Sequence, residues 1–240
     1  MKANYKIMVE HLKSEHISID KKEVLRYLQY KSDIIDEETD RLINECIIEL
    51  KDLSELKYVY RIFNISNDNA SISFEDEIII KSKDLSKLFK NSNKVALMGA
   101  TLGLAVENRI RYYSLSNLSK GIIFDACATT YIEALCDYVE NEIRIIANKE
   151  GTNITFRFSA GYGDVSIHHQ QKIINSLNAA KLIGLNVSES SILIPRKSVT
   201  AFIGFVDNYE KTENKKSSCS TCNLYDDCSY RENGGKSCGK

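Results

Sequence analysis

The sequence predicts an α+β fold: a twisted, largely antiparallel sheet with flanking helices. Three observations predict it. Segments with apolar residues at helical spacing are mixed with short β-branched and aromatic runs. Some of the strand-like runs are neighbours in the chain, as hairpins require and helix-bridged crossovers do not. Finally, 43% of the 240 residues are hydrophobic, enough for one sizeable core.

In chain order, Val24, Leu25, Tyr27 and Leu28 recur at helical spacing behind Asp20, a capping residue. Asp36 caps a second helix with the stripe Leu42, Ile43, Cys46, Ile47 and Leu50, and acids fill its first turn, where the helix dipole favours them. Residues 58–63 and 72–80 read as two strands joined through the turn formers Asn67, Asp68 and Asn69. Leu85, Leu88 and Phe89 predict a short helix. Residues 94–98 predict a buried strand that ends at Gly99 and passes into a helix carrying Leu102, Val106, Ile110 and Tyr113. Gly99 and Gly103 lack both the Gly-Lys-Ser/Thr ending of a phosphate loop and the third glycine of a dinucleotide fingerprint, so close packing is their expected role.

The strongest helix runs over 125–148. Tyr131, Ile132, Leu135, Cys136, Val139, Ile143 and Ile146 form its apolar face, and Thr129, Glu133, Asp137 and Glu140 line the other. Ile154, Phe156 and Phe158 then alternate with Thr155, Arg157 and Ser159, so a strand here sets the aromatics on one face and Arg157 on the other. Ser166 caps a helix holding Ile173, Ile174, Leu177 and Ala180, which Gly184 stops. Residues 192–194 and 199–206 complete the sheet. The expected organisation is a domain over 1–206 and a polar linker with a cysteine-rich tail over 207–240.

Lysine and arginine number 32 against 33 acidic residues, so the net charge of −1 creates no general field toward nucleic acid or an anionic membrane. No stretch approaches the roughly 18 uninterrupted apolar residues of a spanning helix, and the N-terminal residues lack a signal-peptide core. A cytoplasmic protein with no nucleic-acid or membrane partner is expected. Of seven cysteines, Cys46, Cys127 and Cys136 sit in apolar helical contexts as small hydrophobes. The other four form Cys219-x2-Cys222-x5-Cys228-x9-Cys238, the ligand count of a structural zinc or an iron–sulfur cluster, although the spacing follows neither zinc-ribbon nor ferredoxin templates closely. A solvated or redox-labile tail is the competing reading.

Residues 157–163 describe a strand entering a tight turn with two glycines and a tyrosine. Glycine admits a ligand to the backbone, the arginine fork pairs with a carboxylate, and a tyrosine face covers a ring, a combination suited to an amino-acid-bearing nucleoside. From spacing alone, a strand end with a solvated arginine is the commoner explanation. No Ser-His-Asp, Cys-His or paired-carboxylate constellation stands out.

The segment Leu25-Arg26-Tyr27-Leu28, the helix over 125–139, the turn Arg157-x-x-x-Gly161-Tyr162, and the blocks Ser188-Glu189-Ser190 and Lys197-Ser198-Val199 occur in one order over residues 20–206. In that order they resemble the reactivation domain of cobalamin-dependent methionine synthase. The resemblance implies S-adenosylmethionine as ligand, held by Arg157 and the Gly161–Tyr162 backbone, with a backbone contact at Ser159 and an acid from the preceding helix, Glu133. Glu133 shares its face with Asp137 and Glu140, which also fits a plain solvated surface. His168 falls where the family often has a histidine, and with His169 beside it also fits an ordinary helix start. Where the long enzymes carry prolines around the turn, this chain has Ala160 and Gly163.

The chain has no Asp-x-His-x-x-Gly cobalamin-ligand motif, and its length leaves no room for a substrate barrel of about 250 residues. The resemblance therefore implies action in trans, as part of a methyltransferase, on a methionine synthase core that carries the cobalamin. There, reduction of inactive cob(II)alamin by a flavodoxin-like or ferredoxin-like donor is trapped by methylation. Two alternatives stay open: a non-catalytic module that binds S-adenosylmethionine or scaffolds a corrinoid protein, and the same chemistry on another corrinoid methyltransferase. Arg196 and Lys197 are candidates for meeting an acidic electron donor, against a solvated turn.

Overall fold

A computed structural model describes residues 8–30, 35–75 and 78–207. The cysteine tail and the four proposed metal ligands, Cys219, Cys222, Cys228 and Cys238, lie outside the described residues. The elements are β1 (Met8–Leu12), α1 (Lys21–Tyr27), α2 (Glu37–Leu53), β2 (Leu56–Asn67), β3 (Ser71–Phe74), β4 (Ile78–Lys81), α3 (Lys83–Leu88), β5 (Ser92–Thr101), α4 (Leu104–Ser116), α5 (Leu118–Lys149), β6 (Asn153–Ile154), α6 (Gln170–Leu177), α7 (Ala179–Ile183), β7 (Asn186–Val187), β8 (Leu193–Ile194) and β9 (Ser198–Val206).

The main sheet runs β4-β3-β2-β5-β9-β6, and every pairing in it is antiparallel, as expected. The twelve-residue β2 offers one edge to β5 along Lys57–Asn64 and shares the other between β1 and β3. Both faces of the sheet are covered. Tyr58, Tyr60, Ile62, Ala96, Met98, Ala201, Ile203 and Phe205 point into a core with α1, α2, α4 and α5. The intervening Val59, Phe63, Val95, Leu97 and Phe202 point into a second core with α3, α6 and α7. Burial on both sides is why the central strands read as continuous apolar runs instead of alternating ones. Among the described residues, no helix is long and apolar enough to cross a membrane.

Local chemistry explains most boundaries. Asp20 and Asp36 cap α1 and α2 by accepting from Lys22 N (2.9 Å) and Thr39 N (2.8 Å). The turn after β2 closes through Asp68 Oδ1, which accepts from Ala70 N at 2.9 Å. Gly99 packs as expected: a Cβ there would lie 3.4 Å from Leu177 and Leu185. Cys46, Cys127 and Cys136 are buried, and burial pushes their thiols up, to about 11 for Cys46 and about 12 for Cys127. They pack as small hydrophobes, as expected.

Four expectations are corrected. Residues 72–80 are not one strand: the chain folds back after Phe74, with Glu75 at φ 45°, and Ile72 and Phe74 pair with Ile80 and Ile78. The long helix begins at Leu118, seven residues early, capped by Asn117, whose Oδ1 accepts from Lys120 N at 3.1 Å. The helix over 170–183 is broken at Asn178, φ 52°, into α6 and α7, and Ser166 caps a single 3-10 turn ahead of them. Leu193 and Ile194 do not join the main sheet but pair with Val187 and Asn186 in a separate hairpin.

Candidate functional site

Strand β6 forms one edge of the main sheet, and the chain leaves it in a way the alternating pattern did not anticipate. Ile154 pairs with Phe205 and Phe158 with Phe202, so four steps on the edge strand oppose three on β9. One residue is extra: this is a bulge. Thr155 stabilises it, its N–H donating to Gly204 O (2.9 Å) and its Oγ1 accepting from Gly204 N (2.9 Å). The bulge reverses the side-chain phase. Ile154 belongs to the core beneath α5, Phe158 packs against the opposite core, and Arg157 is aimed onto α5. Arg157 lies opposite Phe158, as the pattern expected, but it shares the α5 side with Ile154, which the pattern did not.

Three acids of α5, each about one turn from the next, receive the guanidinium. Nη1 donates to Asp137 Oδ1 at 2.7 Å and lies 3.3 Å from Glu140 Oε2, and Nη2 donates to Glu133 Oε2 at 3.1 Å. The arginine side chain is 20% exposed, whereas Glu133 and Asp137 are 45% and 51% exposed at the mouth of the cluster. Glu140 is further held by Arg144, at 2.5 Å. Burial alone would lower the Arg157 pKa, but its neighbours, with Asp137 first among the carboxylates, hold it above the ordinary value. Arg157 is thus a fixed, permanent cation with solvent-facing carboxylates beside it. The acid predicted from the preceding helix, Glu133, does meet Arg157. Asp137 and Glu140, read from the sequence only as neighbours on that face, are equal partners, and the i, i+4, i+7 spacing of the three is the signal.

Beyond the arginine the chain turns sharply. Phe158 exchanges both backbone bonds with Phe202, at 3.0 and 2.7 Å, so across the planar trans peptides the Arg157 carbonyl and the Ser159 N–H point to the open edge of the sheet. Ser159 Oγ donates to Thr200 O (2.7 Å) and its carbonyl accepts from Tyr162 N (3.2 Å). Gly161, at φ 93°, donates to Val165 O (2.8 Å), and Gly163 sits at φ 51°. Proline cannot adopt the positive φ of Gly163. The Tyr162 ring is 66% exposed and leans edge-on to Phe158, centroids 6.4 Å apart, leaving a face open to solvent.

His168 lies past the turn, its Nδ1 3.2 Å from Ser191 Oγ, and is not joined to the arginine cluster by any hydrogen bond or ion pair. Lys197 is engaged by Asp125 (3.0 Å) and Thr129 (2.7 Å), and the Arg196 N–H donates to Glu107 at 2.9 Å. Among the described residues, no cluster of acids, histidines and cysteines forms a metal site. One structural tie escaped the sequence reading: Asp164, whose carboxylate spans from this turn to the start of α3.

No family model matches the chain, and no curated protein matches it. Among solved structures it is similar to one described as the MetH reactivation domain bound to AdoHcy, with a TM-score of 0.65 and 14% identity, covering 86% of this chain and 80% of that one. The expected architecture is thereby established: this chain has the fold of that domain.

Proposed function

We propose that this chain binds S-adenosylmethionine across the Arg157–Tyr162 turn and serves, in the cytoplasm, as a reactivation subunit for a methionine synthase core that carries the cobalamin. The observation that carries the reading is the joint placement of a fixed arginine, an adjacent acid and outward-facing backbone groups on one sheet edge of this fold. An amino-acid head group carries a carboxylate and an ammonium. Arg157 suits the first, Glu133 and Asp137 at the mouth suit the second, and the Ser159 N–H and Arg157 carbonyl offer a donor and an acceptor to the rest of the ligand. The open face of Tyr162 suits a purine ring.

Bound there, S-adenosylmethionine would supply an electrophilic methyl group to the partner's cobalamin once a flavodoxin-like or ferredoxin-like protein had delivered one electron, leaving S-adenosylhomocysteine behind. This chain's residues hold and orient. Fixing the head group at Arg157 limits where the methyl can lie, which makes a two-body reaction effectively unimolecular. No nucleophile or general base is required of the protein for this chemistry. We further propose that the domain ends near residue 206 and that Cys219, Cys222, Cys228 and Cys238 bind zinc or an iron–sulfur cluster. Iron with visible absorbance in the purified chain would make the tail a route for the electron; stoichiometric zinc would make it structural or a docking element; no metal removes the proposal.

The functional test is reconstitution. The chain is mixed with a cobalamin-loaded methionine synthase lacking this domain, a reductant and S-adenosylmethionine, and loss of the cob(II)alamin spectrum is followed. Conversion to the methylated form that depends on this chain is expected. Binding of S-adenosylmethionine without conversion would replace the reading with a sensor or scaffold module.

A further inference from the structure

The binding turn is made of residues that should not hold it still. Within five residues it contains Gly161 at φ 93° and Gly163 at φ 51°, and glycine loses more conformational freedom on ordering than any other residue. It also protrudes from a sheet edge held by a two-residue strand and an isolated bridge. Its own backbone bonds, Gly161 N to Val165 O and Val165 N to Tyr162 O, and the burial of Ala160 and Val165 hold part of it; a tie from outside the turn adds to them.

Asp164 provides that tie. Its carboxylate accepts from the Ser82 hydroxyl, from Lys83 N at 2.7 Å and from Asp84 N at 3.4 Å, which are the residues opening α3. The contact is reciprocal, since Asp84 Oδ2 accepts from Asp164 N at 3.2 Å. Ser82 in turn caps the helix by accepting from Leu85 N at 2.9 Å, and Leu85 is buried in the second core. The turn is therefore tied through side chains to a core residue some eighty positions earlier. Gly163 is part of the fit, because a Cβ on it would collide with the Asp84 carboxylate.

We propose that Asp164 is a positioning residue for the ligand turn: it clamps the Gly161–Tyr162 backbone to the start of α3 and so pre-orders the edge that receives the ligand. This rests on the reading of the turn as the S-adenosylmethionine site. Without the clamp the ligand must itself supply the ordering of two glycines, which lowers affinity without removing any direct contact. Burial raises the Asp164 carboxyl pKa, but the bonds from Ser82, Lys83 and Asp84 more than offset it and hold the carboxyl below the ordinary aspartate value. A depressed carboxyl contributes fully above its unfolded pKa and is lost only as pH falls through the folded one. The clamp therefore stays closed across the neutral range.

The test pairs amide hydrogen exchange with calorimetric titration of S-adenosylmethionine in the full chain carrying Asp164→Ala. Exchange at the Gly161 and Val165 amides is expected to accelerate while α5 amides are unchanged, and affinity to fall roughly tenfold, about the value of one charge-assisted bond. Asp84→Ala removes only the reciprocal bond at an exposed position. It should give a smaller change of the same kind, so it keeps the test alive if Asp164→Ala fails to fold. Unchanged exchange in the turn overturns the clamp, and faster exchange with wild-type affinity overturns its positioning role. A wild-type chain that binds no S-adenosylmethionine overturns the functional reading instead, and the exchange data alone then decide whether Asp164 clamps.

Discussion

Arg157→Ala is expected to abolish measurable binding of S-adenosylmethionine while leaving the protein folded. The substitution removes the cation proposed to take the ligand carboxylate, a charge-assisted fork contact, and exposes that carboxylate to Glu133, Asp137 and Glu140 without a screening charge between them. Loss of the contact alone is of order 2–4 kcal/mol, or roughly thirty- to several-hundred-fold in affinity. The cost to the fold is smaller. Glu133 and Asp137 are about half exposed and Glu140 retains Arg144, so solvent and that arginine absorb much of the repulsion, leaving about 1 kcal/mol. Arg157→Lys separates charge from geometry: it keeps the cation but cannot bridge Asp137 and Glu133 with a planar fork, and should bind with intermediate affinity. Calorimetry beside a thermal melt reads both quantities. Equal affinity in wild type and Arg157→Ala would remove the arginine from the site, and with it the main support for the proposed function.

Periodicity put Arg157 across from Phe158, and it is there, but the alternation was drawn through Ile154 as well. A bulge adds one residue without changing composition, so Thr155 and Phe156 gave no local signal of it; the sign lies in the partner strand, where Ile154 and Phe158 meet Phe205 and Phe202. The split of 72–80 into β3 and β4 was hidden for a related reason. Ile72, Phe74, Ile78 and Ile80 keep even spacing through the turn, so a folded hairpin and a straight strand carry the same pattern. Gly121 masked the true start of α5. A glycine lowers helix propensity, yet here its missing Cβ lets α4 and α5 approach, since a Cβ would stand 3.1 Å from the Ser114 nitrogen. Caps and apolar stripes were legible because they act within one or two turns. Asp164 was not, because its partners lie eighty residues away and nothing in its neighbourhood distinguishes it from a loop aspartate.

Phe202→Ala is the complementary perturbation, with a large expected effect on stability and little on the ligand contacts themselves. Its ring is fully buried in the core shared with α3, α6 and α7, 5.5 Å from Phe74 between centroids. Truncation to alanine removes the transfer energy of the ring and leaves a cavity, together about 3–5 kcal/mol, which for a chain of this size lowers the melting midpoint by roughly 6–20 °C. The backbone of residue 202 still exchanges its two bonds with Phe158, and the removed ring faces away from α5. The bulge and the carboxylates around Arg157 should therefore survive below the transition, and S-adenosylmethionine affinity at low temperature should change far less than in Arg157→Ala. Coupling can run through Phe158, which packs on that core and supports Tyr162, and through Ala160 and Val165 of the turn, which are buried in it. A loss of affinity in Phe202→Ala matching that of Arg157→Ala would mean that the ring beneath Tyr162, more than the arginine above α5, sets the geometry of the edge. An unchanged midpoint would mean instead that the second core does not depend on Phe202 as its burial requires.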